Sequence, residues 1–350
     1  MSLSDRIGEL LAAPPFGVAQ ADKDAALAPI LDALTLHHER ACPAYARVID
    51  VLGAPWIPVG LFKTHTLRSV PEADVTTVLT SSGTTGQVPS RIFLDAATSA
   101  RQTLALSKIM GELLGPRRLP MLIVDQKDLL KDRTAFSARG AGVLGMMNFG
   151  RAPAFVLDAD MRLDVAAVEA FLAKHGGAPF LIFGFTYMVW TYFLEPLRAR
   201  GLDLSNGILV HSGGWKKLVD QAVDNATFKR GLRDATGLAR VHNFYGMVEQ
   251  VGSVFVEGDD GLLHAPRFAD VIVRDPRTLD EVGPGTPGVL QVVSALPTSY
   301  PGHSLLTEDL GVVHAIDQGA WKGKAFSVIG RIPRAELRGC SDTHAADARA

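Results

Sequence analysis

Apolar residues along this chain fall into three successive textures. In "DAALAPILDALTLHHERACPAYARVI" (24–49) they recur at helical spacing, and residues 1–60 read as mainly helical, with Pro55 and Pro58 marking the exit. From residue 73 to about 250 the pattern changes to short apolar runs separated by amphipathic helical stretches. "ADVTTVL" (73–79) and "RIFL" (91–94) predict strands, and a long helix follows the second. "PMLIVD" (120–125), "APAFVLD" (152–158), "APFLIFG" (178–184) and "NGILVHSG" (206–213) predict the strands of an α/β sheet. Beyond residue 250, "GSVFVEGDDGLLHAP", "ADVIVRDP", "GVLQVVSAL" and "LGVVHAI" are short strands spaced by Gly, Pro and Asp turns, which predicts a smaller β-rich barrel or bent sheet. The expected division is a helical part (1–72), an α/β core (73–253), a β-rich subdomain (254–331) and a short tail (332–350).

Composition narrows the function. The 350 residues are 47% hydrophobic, enough to bury a large core split over subdomains. Lys plus Arg number 35 against 37 Asp plus Glu, a formal net charge of −2, which lacks the basic excess of a nucleic-acid surface. No apolar run approaches the roughly 20 residues that span a bilayer. The opening "MSLSDRIGELLAAPPFG" has no apolar secretory segment, so a cytoplasmic protein is expected. Two cysteines, Cys42 and Cys340, make no disulfide framework, and no Cys/His spacing suggests zinc.

The chemistry-bearing stretches lie at the ends of predicted strands. "TSSGTTGQVPSR" (80–91) offers backbone N–H groups and hydroxyls where a strand ends, which suits an anion cradle. It matches neither the nucleotide P-loop nor the dinucleotide fingerprint, and alone it reads equally as a polar turn. "HSGGWKK" (211–217), "HNFYGMVEQVGS" (242–253) and "LLTEDLGVV" (305–313) also end or interrupt strands, the last as a strand-turn-strand carrying Glu308 and Asp309. Ligands of open α/β sheets bind beyond the carboxyl ends of strands, where such loops converge. His211 and His242 open two of these loops, either to touch substrate or to make structural hydrogen bonds. His37 and His38 read as surface or packing residues, and Cys42 as a packing residue. "LIFGFTYMVWTYFL" (181–194) either lines an apolar pocket or forms a buried strand and helix.

The ordered set "SSGTTG" (81–86), "GGWK" (213–216), "FYGMVEQ" (244–250), "TEDLG" (307–311) and "IGRIPRAELRGCS" (329–341) resembles the adenylate-forming enzymes. Within them, it is most similar to the acyl-protein synthetases of the LuxE type, over roughly residues 40–342. The resemblance implies the large α/β N-terminal domain of that superfamily, with a small β-rich barrel and without the usual full C-terminal domain of about a hundred residues. It also implies ATP and Mg²⁺ as cofactors, a carboxylic, fatty acid substrate and an acyl-AMP intermediate. The acyl group would pass to a thiol, with an acyl-CoA reductase or an acyl carrier protein as partner. The alternatives are a coenzyme A or carrier-protein ligase and a degenerate nucleotide-binding scaffold.

By the same resemblance, Thr80, Ser81, Ser82, Gly83, Thr84, Thr85 and Gly86 would wrap the β- and γ-phosphates. Gly213, Gly214, Trp215, Tyr245, Gly246 and Met247 would line the nucleotide and acyl carboxylate, and Asp309 would accept from the ribose hydroxyls. Glu249 would help hold the metal, and Arg331 precedes the family's hinge. Many relatives have Lys at the end of the phosphate loop, where this sequence has Ser90 and Arg91. They also use a lysine of the C-terminal domain, whereas here no Lys follows Lys324, so Lys216 or Lys217 is expected to supply the cation. Cys340, in "LRGCSDTH", matches the cysteine through which this family passes its acyl group. Neighbouring Arg338 and His344 favour its thiolate.

Overall fold

The computed structural model describes residues 2–81, 88–130, 138–214 and 222–332. The chain forms two compact units. Among the described residues, one combines 2–109 with 245–332; the other is built from 110–244.

The first unit joins sequence that lies far apart. Helix Leu3–Ala12 starts with a capping box between Ser2 and Asp5, which satisfies orphan N–H groups of its first turn. Helix Gln20–Ala41 buries Leu27, Ile30 and Leu34, and also Lys23 and His38, which are 1% and 0% exposed. Those polar groups are matched by the β-rich segment. Lys23 Nζ lies 3.1 Å from Asp270 Oδ1, and Lys324 Nζ lies 3.2 Å from Asp270 Oδ2. His38 donates through Nε2 to Pro297 O at 3.2 Å, while its Nδ1 accepts from Ser69 Oγ at 2.7 Å. An ion pair this deep repays its desolvation only when further hydrogen bonds complete it, as Gln20 and Ala265 do here.

The β-rich segment is antiparallel, in the order Ala269–Arg274, Gly288–Ser294, Ser304–Ile316, Lys324–Arg331, Leu263–His264, Phe255–Glu257. Ile57–Pro58 adds a parallel pair beside Leu305 and Leu306. "LLTEDLGVV" departs from the expected strand-turn-strand. Ser304–Ile316 runs as one strand of 13 residues with register shifts at Leu310/Gly311 and Val313/Ala315. The bulges bend it without ending it. A Cβ on Gly311 would stand 2.6 Å from Ser327 O and from a Leu290 methyl, so only glycine permits that close approach.

The second unit is a parallel sheet ordered Gly150–Leu157, Leu119–Gln126, Phe180–Phe185, Gly207–Ser212, Arg240–Tyr245, the last strand ending at the unit boundary. Phe180–Phe185 is buried at every position, as continuous apolar runs in parallel sheets should be. A π-helical turn, Val189–Leu194, continues from it with Val189, Phe193 and Leu194 buried. Cys42, in the first unit, is 2% exposed, as expected of a packing residue. Among the described residues no helix is long and apolar enough to cross a membrane.

Buried neutral histidines give the fold a pH signature. Burial first, then neighbouring positive groups, push His211 and His303 down to about 3 and His38 well below its usual value. An unfolded imidazole takes up its proton near pH 6.5, whereas these folded ones do not, so stability is complete above about pH 6.5 and falls as pH drops toward 3. Asp125, pushed up to about 6 by burial, gains a proton in the folded state and partly offsets this. The net expected loss is about 2–3 kcal/mol per pH unit between pH 6 and 5. Chemical denaturation at pH 7, 6 and 5 measures it, and a midpoint that rises on acidification contradicts it.

Candidate active site

Three of the quoted motifs meet in the first unit. Antiparallel pairing sets Asp309 opposite Arg331, so both side chains leave one face of the strand pair. Arg331 Nε lies 3.3 Å from Asp309 Oδ1, and the Tyr245 hydroxyl donates to Asp309 Oδ2 at 2.8 Å. Thr307 fixes the strand beneath them: its hydroxyl donates to Leu290 O at 2.7 Å and accepts from Asp309 N at 3.1 Å. Burial first, then the Asp309 carboxylate, push the Tyr245 phenol well above its ordinary value, so it remains a donor at neutral pH. Asp309 keeps lone pairs for further donors, because a carboxylate has about four acceptor sites.

After Tyr245 the chain passes through exposed Gly246 and half-buried Met247 into the turn Val248–Gln250. Glu249 is only 4% exposed there. Its turn is clamped by Gln250 Nε2, which donates to Val292 O at 3.1 Å and Gly302 O at 3.2 Å, and by Val251 N–H donating to the Tyr300 hydroxyl at 3.1 Å. Burial pushes the Tyr300 phenol upward; the hydrogen bond from Val251 N–H opposes the rise and the Glu249 carboxylate adds to it.

The first unit also carries the stem of the Ser/Thr/Gly loop. Thr77–Thr80 and Arg91–Leu94 form an antiparallel hairpin with Thr80 opposite Arg91. Ser81 N–H donates to Ser90 O at 3.2 Å, and Ser81 Oγ accepts from Ser90 N–H at 2.8 Å. Thr80 is exposed, while the Ser81 oxygen already holds the loop's neck. Ser82, Gly83, Thr84, Thr85 and Gly86 lie outside the described residues, as do Trp215, Lys216, Lys217 and Cys340.

In the second unit, Gly213 and Gly214 follow the Gly207–Ser212 strand, both exposed. Gly213 has φ +84°, a left-handed conformation that favours glycine, and a Cβ on it would be 3.6 Å from the Phe185 ring. His211 makes a structural bond: Thr186 Oγ1 lies 2.9 Å from its Nδ1 and donates to Ser212 O at 3.2 Å. That leaves the imidazole Nδ1–H as the donor to Thr186. His242 is buried as well.

One pair escaped the sequence reading. Asp125, at the polar end of "PMLIVD", and Arg139, in helix Ala138–Met147, are 1% and 2% exposed, with Arg139 Nε 3.2 Å from Asp125 Oδ2. The other carboxylate oxygen accepts from Gln126 N–H at 2.7 Å. The only sequence signal for Asp125 was an acid closing an apolar strand, and a lone arginine in the first turn of an apolar helix carries none.

The family model for "Acyl-protein synthetase, LuxE" matches residues 4–347. The long-chain-fatty-acid–luciferin-component ligase of Aliivibrio fischeri is 25% identical over 304 residues, covering 82% of this chain and 76% of the relative. The enzyme of the same name from Vibrio harveyi is 25% identical over 309 residues, covering 84% and 78%. Among solved structures, 2-hydroxyisobutyryl-CoA ligase in its postadenylation state aligns with a TM-score of 0.69 at 16% identity, over 91% of this chain and 70% of that one. ATP-bound MatB from Rhodopseudomonas palustris aligns with a TM-score of 0.52 at 18% identity over 75% of this chain, which spans about half of MatB (49%). At these identities the structural likeness is one of fold: a mixed α/β architecture shared with adenylate-forming ligases. With the family match running almost from end to end, the chain belongs to the LuxE family of acyl-protein synthetases.

Proposed function

We propose that this chain is an ATP-dependent ligase that converts a fatty acid to an acyl-AMP and passes the acyl group to a protein thiol. The observation that carries the reading is the Tyr245–Asp309–Arg331 cluster, which joins three motif segments distant in sequence at one carboxylate. In the first step a carboxylate oxygen of the acid attacks the α-phosphorus of ATP, and pyrophosphate leaves. In the second, a thiolate attacks the acyl carbonyl, AMP leaves with the electron pair of the broken bond, and a thioester remains. Cys340 is the proposed acceptor, and the acyl group then moves to a partner such as a reductase or a carrier protein.

The roles follow from chemistry. Asp309, oriented by Tyr245 and Arg331, has acceptor capacity left for ribose hydroxyls. Thr80 and Ser81, with Ser82, Gly83, Thr84, Thr85 and Gly86, supply hydroxyl and N–H donors to the phosphates. Gly213, Gly214, Trp215, Gly246 and Met247 are the proposed lining of nucleotide and acyl carboxylate, and Lys216 is the proposed cation. Among the described residues no cluster of three or more metal-binding side chains occurs. Mg²⁺ typically takes one or two carboxylates and completes its shell with phosphates and water. Glu249 is the residue that would hold it, and the ion would neutralise charge on the phosphates. We place the enzyme in the cytoplasm, where its nucleotide is abundant.

ATP–pyrophosphate exchange over a panel of saturated and aryl acids tests the reading. Exchange that requires both an acid and Mg²⁺ is expected, and its absence with every acid overturns the proposal. Asp309→Asn keeps the shape and the Tyr245 contact but loses the charge. It is expected to weaken ATP binding about ten- to hundredfold, the scale of a hydrogen bond to a charged group. Calorimetric titration with a non-hydrolysable ATP analogue reads this out.

A further inference from the structure

The parallel sheet of the second unit reverses its order of growth between two strands. From Leu119–Gln126 the chain goes outward to Gly150–Leu157, then returns to lay Phe180–Phe185 on the other side. The carboxyl ends of Leu119–Gln126 and Phe180–Phe185 therefore flank a topological switch point, where open α/β sheets bind their ligands. Asp125 stands at that end, and Arg139 reaches it from helix Ala138–Met147. The same helix meets the Phe185 ring, since a Cβ on Gly142 would be 3.3 Å from it. Gly213, at the start of the Gly-Gly loop, also neighbours that ring, a Cβ on it being 3.6 Å away.

Arg139 is incompletely used. Its Nε pairs with Asp125 Oδ2 as an ion pair at 3.2 Å without a hydrogen bond, and Nη1 is buried with no hydrogen-bond partner among the described residues. A buried donor without a partner is costly, and such groups persist where something else completes them. We infer that Arg139 holds the carboxylate of the acid substrate, Nη1 donating to one carboxylate oxygen while Nε stays on Asp125. This rests on the proposed acyl-activating function and names a binding residue for it.

The surroundings favour a monoanion on an apolar body. Asp125 already balances the guanidinium, so a polyphosphate would add several negative charges beside a buried carboxylate, whereas a fatty acid adds one. Val143 and Met146 of the same helix and Phe185 of the adjoining strand are all buried apolar groups, and Phe180–Phe185 is apolar throughout. An anchor at one oxygen also limits the rotation of the carboxylate, which favours attack in line with the departing pyrophosphate.

Arg139→Gln alone strands Asp125, so the informative variant is Asp125→Asn/Arg139→Gln, which removes both charges together. With full-length protein, direct binding of palmitate and of hexadecanol is measured without ATP, alongside exchange kinetics. Wild type is expected to prefer the acid over the alcohol, and the folded double variant to bind both alike. Its KM for acid should rise about 10- to 100-fold while its KM for ATP stays within twofold. Arg139→Lys, which keeps a charge but loses the planar fork, should lie between. A folded double variant that keeps the preference for acid overturns the inference, and so does one whose KM rises for ATP rather than acid. If wild type exchanges no pyrophosphate with any acid, the proposed function fails. The acid–alcohol comparison still decides the role of Arg139.

Discussion

Replacing Glu249 by Gln should lower ATP–pyrophosphate exchange by about two to three orders of magnitude, the usual loss when a preorganised electrostatic group is removed from a transition state. The substitution keeps volume and leaves one carbonyl oxygen in place, so the clamped turn Val248–Gln250 has no steric reason to open. Gln250 still reaches Val292 O and Gly302 O, and Tyr300 still receives Val251 N–H. What disappears is a negative charge, 4% exposed, beside the segment that carries Tyr245. If the charge serves a metal, raising Mg²⁺ should recover part of the exchange in the variant. A purely structural Glu249 would instead lower the melting temperature with little change in exchange per folded molecule. Exchange within threefold of wild type, in a variant that melts normally, removes Glu249 from the proposed machinery.

Cys340→Ser carries the second large effect, because it separates the two half-reactions. Adenylation needs no thiol, so exchange should persist at the wild-type rate. Acyl transfer should stop, since a serine hydroxyl without an activating base is a far weaker nucleophile than a thiolate. Intact mass after incubation with ATP, Mg²⁺ and fatty acids reads the outcome. Wild type should gain one acyl group that hydroxylamine removes, and the variant none. An acyl mass retained on the variant, or acyl transfer only when coenzyme A is supplied, assigns the acceptor elsewhere.

These expectations draw on sequence and structure unequally. Strand and helix positions in the α/β part were legible because burial on both faces forces continuous apolar runs, as in Phe180–Phe185 and Gly207–Ser212. The Tyr245 and Asp309 segments were legible by resemblance, since their residue types and order are characteristic. Their contact was not: only antiparallel register brings Arg331 opposite Asp309, and nothing local encodes that partner. "LLTEDLGVV" read as two strands because Glu308, Asp309 and Gly311 look like a turn. Tertiary packing overrides that preference, pairing the segment on both sides and absorbing the irregularity in bulges.

By itself, then, the sequence determined the α/β class, the superfamily resemblance and the strand-end loops that carry polar groups, because each depends on residue type and local period. The tertiary structure alone decided which distant segments share a unit. Lys23 and His38 look like ordinary polar residues of a helix, yet they are buried against Asp270 and Pro297, some 250 residues further on. It also decided that Asp125 and Arg139 face each other at a strand end, since a buried charge is revealed only by the partner that compensates it.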